Sequence, residues 1–179
     1  MKLSNLVAAL KPYRAVLVTG PQRSGTTIAG RILASELGYR YADEDEVRIH
    51  DHNKAYDVLK AGNVVLQAPG LCHHADLFTV KLNLAVVMMR RPVDDIYKSE
   101  ARIHWRDLYG GANLKAEQDK YAARFGIYGD NIAAIKYFCW QEFQKPVLGE
   151  RAFELEYDEL RAHPYWTDKR ETFDARQWQ

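Results

Sequence analysis

Short apolar runs alternate with amphipathic stretches along this chain. Ala15–Thr19 is almost wholly apolar and sits between Pro12 and Gly20, and residues 84–89 are apolar throughout and are stopped by Arg90-Arg91-Pro92. Runs of this length between turn residues suit strands covered on both faces. Residues 63–67, between Gly62 and Pro69, and Ala152–Glu156 predict two more strands, and residues 39–41 a weaker one. Thr26–Leu37 sets Ile28, Ile32, Leu33 and Leu37 on one face and is followed by Gly38, which suits a helix end. Residues 52–60 predict a shorter helix. Residues 93–105 predict another, with Pro92 before it and Asp94 and Asp95 in its first turn. A helix over residues 130–143 would take Asp130 as its N-cap and align Ile132, Ile135, Phe138 and Cys139. Residues 1–12, whose apolar stretch is interrupted by Ser4 and Asn5, predict a lead-in helix rather than a signal peptide. In residues 109–128, Gly110-Gly111 predicts a break and residues 114–125 a helix; this segment is expected to be a lid or acceptor-binding part.

Alternation of strands and helices predicts a mainly parallel sheet with helices on both faces, a three-layer α/β fold. A length of 179 residues fits one domain over residues 1–179. Net charge is +1, so no global basic field points to nucleic acid. No apolar run approaches a membrane span. Two cysteines, Cys72 and Cys139, are too few for a disulfide framework and carry no metal-ligand spacing, which favours a reduced cytoplasmic setting. The oligomeric state is left open.

The densest chemistry lies where the first strand runs into Gly20-Pro21-Gln22-Arg23-Ser24-Gly25-Thr26-Thr27 and then into a helix. Backbone N–H groups in such a loop form an anion nest, and the helix N-terminus adds partial positive charge. Gly20 and Gly25 allow close approach of an anion, while Thr26 and Thr27 add hydroxyls. A nucleotide-hydrolase phosphate loop reads GxxxxGK[ST]; here Thr26 stands at the lysine position and the cation is Arg23. That loses reach toward a γ-phosphate, which a donor with one 5′-phosphate and a terminal sulfate does not need.

On these residues the chain resembles the sulfotransferase family, a P-loop NTPase-like fold. The family's 5′-phosphosulfate loop has the form [KR]-S-G-T-T, matched by Arg23 to Thr27. Its 3′-phosphate block, R-x-P-x-D-x-x-x-S, is similar to Arg90-Arg91-Pro92-Val93-Asp94-Asp95-Ile96-Tyr97-Lys98-Ser99, with Lys98 at the serine position and Ser99 one residue later. Its Y-E-D-L-like stretch is similar to Tyr157-Asp158-Glu159-Leu160 with Pro164 after it. Residues 169–172 are a faint echo of bacterial members. The resemblance implies 3′-phosphoadenosine 5′-phosphosulfate as co-substrate, transfer to a small-molecule or carbohydrate hydroxyl or amine, and no metal. It assigns the 5′-phosphosulfate to Gly20 through Thr27 and the 3′-phosphate to Arg90 with Lys98 or Ser99. It gives Arg23 the charge on the leaving nucleotide.

The general base is open among His73, His74 and Glu44. The histidines follow a buried strand, with Gln67 where the family often has a lysine, and an imidazole titrates near neutrality. Glu44 lies in the acidic run Asp43-Glu44-Asp45-Glu46, which also reads as a solvated turn. Adjacent His73 and His74 would chelate one metal ion poorly, with no third ligand evident. His50, His52, His104 and His163 read as surface residues, and Trp105, Trp140, Trp166 and Trp178 as core or interface. Two alternatives stand beside transfer of sulfate. One is a kinase-like P-loop protein with magnesium held by Asp43, Asp45 or Glu46. The other is a non-catalytic nucleotide-binding module.

Overall fold

The computed structural model describes residues 1–47 and 51–166, with only the backbone described over 105–113. His50, Trp178 and residues 169–172 lie outside the described residues, as does the side chain of Trp105. The apolar runs form the strands β1 (Ala15–Thr19), β2 (Arg40–Ala42), β3 (Val64–Gln67), β4 (Leu84–Arg90) and β5 (Ala152–Glu156). All pair in parallel, in the order β2-β3-β1-β4-β5. The central strand β1 sets Ala15 beside Val64 on one side and Leu84 on the other. Both of its faces are covered, so its side chains are apolar from Ala15 to Val18 without alternation.

Successive residues of each strand serve opposite layers. Val16, Val18, Val65, Val87 and Met89 meet α1 (Leu3–Leu10) and α2 (Thr26–Leu37) through Leu6, Leu10, Ile32 and Leu33. Leu17, Leu66, Val86 and Met88 face the other way, toward Ala55 and Leu59 of a helix spanning His52–Ala61 and Ala133, Tyr137 and Trp140 further on. This is a three-layer α/β fold, with the loop of residues 20–27 at the C-terminal end of the central strand. That end is where the chain order reverses across the sheet and where ligands bind in such folds.

Several expectations about helices change. A four-residue helix, α3 (Glu44–Val47), precedes α4 (His52–Ala61), whose N-cap Asp51 accepts from the Lys54 amide at 3.0 Å. The helix after Pro92, α5 (Val93–Arg102), stops short of Trp105, and His104 takes a left-handed conformation (φ 51°). A new helix, α6 (Trp105–Phe125), then runs unbroken through Gly110-Gly111. Glycine costs a helix about 1 kcal/mol against alanine, and α6 is held further along by packing of the buried Tyr121 and by ion pairing of Glu117. In α7 (Ile132–Cys139) the N-cap is Asn131, which accepts from the Ala134 amide at 2.9 Å, rather than Asp130. A π-helical turn, Trp140–Gln144, continues it. Phe138 is 48% exposed, because α7 gives Ala133 and Tyr137 to the sheet and Ile132, Ile135 and Cys139 to α6, leaving Phe138 on the outer side.

Candidate functional site

Beyond β1 the chain turns at Gly20 (φ 143°), where an added Cβ would lie 3.1 Å from the Met89 carbonyl and from Ser24 Oγ. The Ser24 amide and hydroxyl both donate to the Pro21 carbonyl, at 3.2 and 2.7 Å, and close the loop on itself. Ser24 is therefore a brace within the loop. Gly25 (φ 94°) caps α2 and brings no side-chain acceptor to the first-turn amides. A Cβ there would meet the Tyr157 ring at 2.6 Å, so the turn after β5 packs directly on the loop. Thr26 Oγ1 accepts from Gln67 Nε2 at 3.3 Å, and Gln67 Oε1 accepts from the Tyr41 hydroxyl at 3.3 Å. Thr27 is exposed at the helix start. Of the loop hydroxyls, two hold the structure and one faces solvent. Gln67 ties strand to loop.

Arg23 adopts a left-handed conformation (φ 63°), and its Nε donates to Ser99 Oγ at 3.3 Å. Arg91 Nη1 donates to the Arg23 carbonyl at 2.8 Å, while the Arg91 guanidinium lies 4.2 Å over the Tyr157 ring. Burial, and then the charges of Arg102 and Arg91, hold the Arg23 guanidinium below its ordinary pKa. Three guanidinium groups, those of Arg23, Arg91 and Arg102, thus crowd together, with the Glu100 carboxylate acting the other way.

The block after β4 divides differently from expectation. Ser99 is 6% exposed and meets Arg23, whereas the Lys98 side chain is 79% exposed and sits 3.7 Å from Asp95. Helical geometry puts Ile96 and Ser99 on the inner face of α5 and Lys98 on the outer. Arg90, still inside β4, shares the face of Met88. Its guanidinium lies 4.2 Å over the Tyr137 ring of α7, with Nη1 buried and lacking a hydrogen-bond partner among the described residues. Arg91, beyond the strand, is the arginine that grips the loop.

Lys136 of α7 was read only as part of a helix, yet it is fully buried at the loop. Its Nζ donates to Gln22 Oε1 at 2.8 Å and to the Pro69 carbonyl at 3.2 Å, and pairs with Glu117 Oε1 at 2.8 Å. The signal was present as a lone charge inside the apolar stretch Ile132–Cys139. Burial pushes the Glu117 carboxyl up, but the ammonium groups of Lys136 and Lys120 outweigh it and hold it at about 2. Pro21 forms the buried turn of the loop, its carbonyl serving Ser24.

The acidic run points in two directions. Glu44 turns inward and accepts from the Gly70 amide at 2.5 Å. Burial raises its pKa, with the Gly70 amide and Lys136 acting against the rise. Glu46 instead pairs with Arg40 at 2.7 Å on the surface, and Asp43 accepts from the Glu46 amide at 3.4 Å.

His73 and His74 end a 3₁₀ turn, Pro69–His74. His73 is 5% exposed, and Arg124 of α6 donates to its carbonyl and to Asp76 Oδ2. His74 Nδ1 lies 3.1 Å from the ring nitrogens of His52. Burial and the adjacent His74 lower the His73 pKa to about 3; burial and His52 lower that of His74 to about 4. His52, read as a surface residue, is thus part of a histidine cluster. A separation of 22 positions from His74 concealed it.

No protein-family model matches the chain, and neither does any curated protein. Among solved structures the chain is similar to a shikimate kinase from Acinetobacter baumannii in complex with shikimate. Sequence identity is 16% and the TM-score 0.44, over 84% of this chain and 87% of that one. A likeness this distant says nothing of substrate. Among the described residues, no helix is long and apolar enough to cross a membrane.

Proposed function

We propose that this protein is a sulfotransferase that takes 3′-phosphoadenosine 5′-phosphosulfate as donor and passes its sulfuryl group to a hydroxyl or amine. The observation that supports this reading is the meeting of two distant sequence blocks at Arg23, whose Nε reaches Ser99 Oγ and whose carbonyl is held by Arg91. Those blocks match the phosphosulfate loop and the 3′-phosphate segment of the family that the sequence resembles. Loop amides and Thr27 would receive the 5′-phosphosulfate, and Ser99 with Arg91 the 3′-phosphate.

In the reaction the acceptor heteroatom forms a bond to sulfur as the bond from sulfur to the bridging oxygen breaks. The nucleotide leaves as 3′,5′-adenosine bisphosphate. Arg23 would meet the charge growing on that oxygen. The acceptor's proton passes to Glu44, which suits the role because burial raises its proton affinity. His73 and His74 suit it less, since each faces another imidazole.

One observation favours a second reading, a kinase-like P-loop protein. Lys136 brings to Gln22 of the loop the ammonium group that the loop sequence itself lacks. Calorimetry with 3′,5′-adenosine bisphosphate beside ATP and magnesium separates the two. Tight binding of the first alone supports sulfuryl transfer; binding of ATP with magnesium alone overturns it in favour of the kinase; binding of neither sinks both.

A further inference from the structure

We propose that His52, His73 and His74 form a metal site that takes one zinc ion per chain. This goes beyond either reading of the reaction and depends on neither. The three imidazoles come from two elements: His52 is the first residue of α4, and His73 and His74 end the turn after β3. Their ring centroids lie 4.0 Å apart for His73 and His74, 4.3 Å for His52 and His74, and 6.0 Å for His52 and His73. One ligand atom from each lies within 4.8 Å of the others.

Sequence alone argues against two adjacent histidines binding one ion, because neighbours usually diverge. Here the 3₁₀ turn converges them and α4 supplies the third. Zinc with bonds of about 2.0–2.1 Å in tetrahedral geometry holds its ligating nitrogens roughly 3.3 Å apart. His74 Nδ1 stands 3.1 Å from both His52 nitrogens with the two rings nearly perpendicular, so the spacing suits a shared ion once the His52 ring turns to present one nitrogen and His73 moves in.

A second observation points to a ligand. His73 Nδ1 is buried and has no hydrogen-bond partner among the described residues, in a residue only 5% exposed. A buried polar atom left so carries a desolvation penalty, and metal coordination would remove it. The donor set also selects among ions. Three neutral nitrogens suit zinc, copper or nickel and do not suit magnesium or calcium, which need oxygen. Asp76, two residues beyond His74, is taken by Arg124 at 2.6 Å and by Gln144 at 3.2 Å, and Glu117 is taken by Lys136 and Lys120, each at 2.8 Å. Three histidines would therefore leave a fourth position for water or a substrate atom, as in open zinc sites.

The test uses the full chain without added affinity-tag histidines, stripped with chelator and titrated with zinc chloride in a calorimeter. Cobalt(II) chloride in a parallel titration reports geometry through the visible bands of tetrahedral cobalt. The expected result is one equivalent of zinc with a tetrahedral cobalt spectrum. His52 is a partly exposed helix-start residue, so His52→Ala keeps the fold, checked by circular dichroism. It should weaken binding by more than the roughly 10–100-fold that loss of an outer-shell partner costs. His163→Gln, at the distant Glu36 pair, should bind as the wild type does. Absence of a one-equivalent zinc event in the wild type, or equal zinc affinity in His52→Ala, overturns the proposal.

Discussion

Arg23 holds three relations at once: a left-handed backbone, a hydrogen bond to Ser99 and a carbonyl gripped by Arg91. Its side chain supports no part of the core, so Arg23→Ala should leave thermal unfolding near the wild-type midpoint. Transfer should fall by about 10²–10³, the size seen when one preorganised donor to a developing charge is removed. Ser99 and Lys98 give a paired test. Ser99→Ala should weaken binding of 3′,5′-adenosine bisphosphate by roughly tenfold, on the order of one hydrogen bond to a charged group. Lys98→Ala should leave calorimetric affinity unchanged, because that side chain stands in solvent beside Asp95. For Glu44 the sign follows from its role. A base must be ionised, and burial raises its pKa above the ordinary carboxylate value. The rate should therefore fall as pH drops through that raised value, and Glu44→Gln should remove both the acid limb and most of the activity in a pH–rate profile.

At the scale of elements, two contacts between distant segments hold the loop. Tyr157, from the turn after β5, packs on Gly25 and beneath Arg91. Gly25→Ala would force a side chain into a left-handed backbone and into that ring. It should cost at least about 1–2 kcal/mol in denaturant unfolding and lower nucleotide affinity with it. The other contact is between α6 and α7, where Glu117 pairs with the fully buried Lys136. Glu117→Gln leaves that ammonium group without its counter-charge and should destabilise by roughly 3–5 kcal/mol. The wild-type carboxyl, held at about 2 against an ordinary 4.5, gives its stability fully above 4.5. That contribution is lost as pH falls toward 2, which acid unfolding of wild type and variant would reveal. β1, β3 and β4 were legible as short apolar runs bounded by Gly, Pro or Arg, whereas β5 alternates apolar with acidic residues and β2 was the weaker expectation; Ala15–Thr19 and Ala152–Glu156 agree to the residue. The inward turn of Lys136 was not legible. A helix pattern shows which positions face the core, but not that a charge there has found Glu117 on another helix. The histidine cluster was hidden for the same reason, since its members meet only once α4 packs beside the turn after β3. Ser99 was ambiguous against Lys98 until the helix start after Pro92 fixed which of them faces inward.

Over the whole molecule, the order β2-β3-β1-β4-β5 sets the loop of residues 20–27 at the middle of the sheet and draws its contacts from both sides. Gln67 arrives from β3, Arg91 from beyond β4, and Tyr157 from beyond β5. A ligand seated there would bind the folded state alone. At a hundred times its dissociation constant, 3′,5′-adenosine bisphosphate should add about 2.7 kcal/mol and raise the melting temperature, while ATP with magnesium should not. The position of Tyr157 has a consequence for biosynthesis. More than a hundred residues separate Tyr157 from the glycine it covers, so a ribosome makes all of them before the ring that seats the loop emerges. A nascent chain halted before β5 would carry every residue of the phosphate-loop motif and still lack its backing. Nucleotide capture should therefore wait until β5 and Tyr157 have been made.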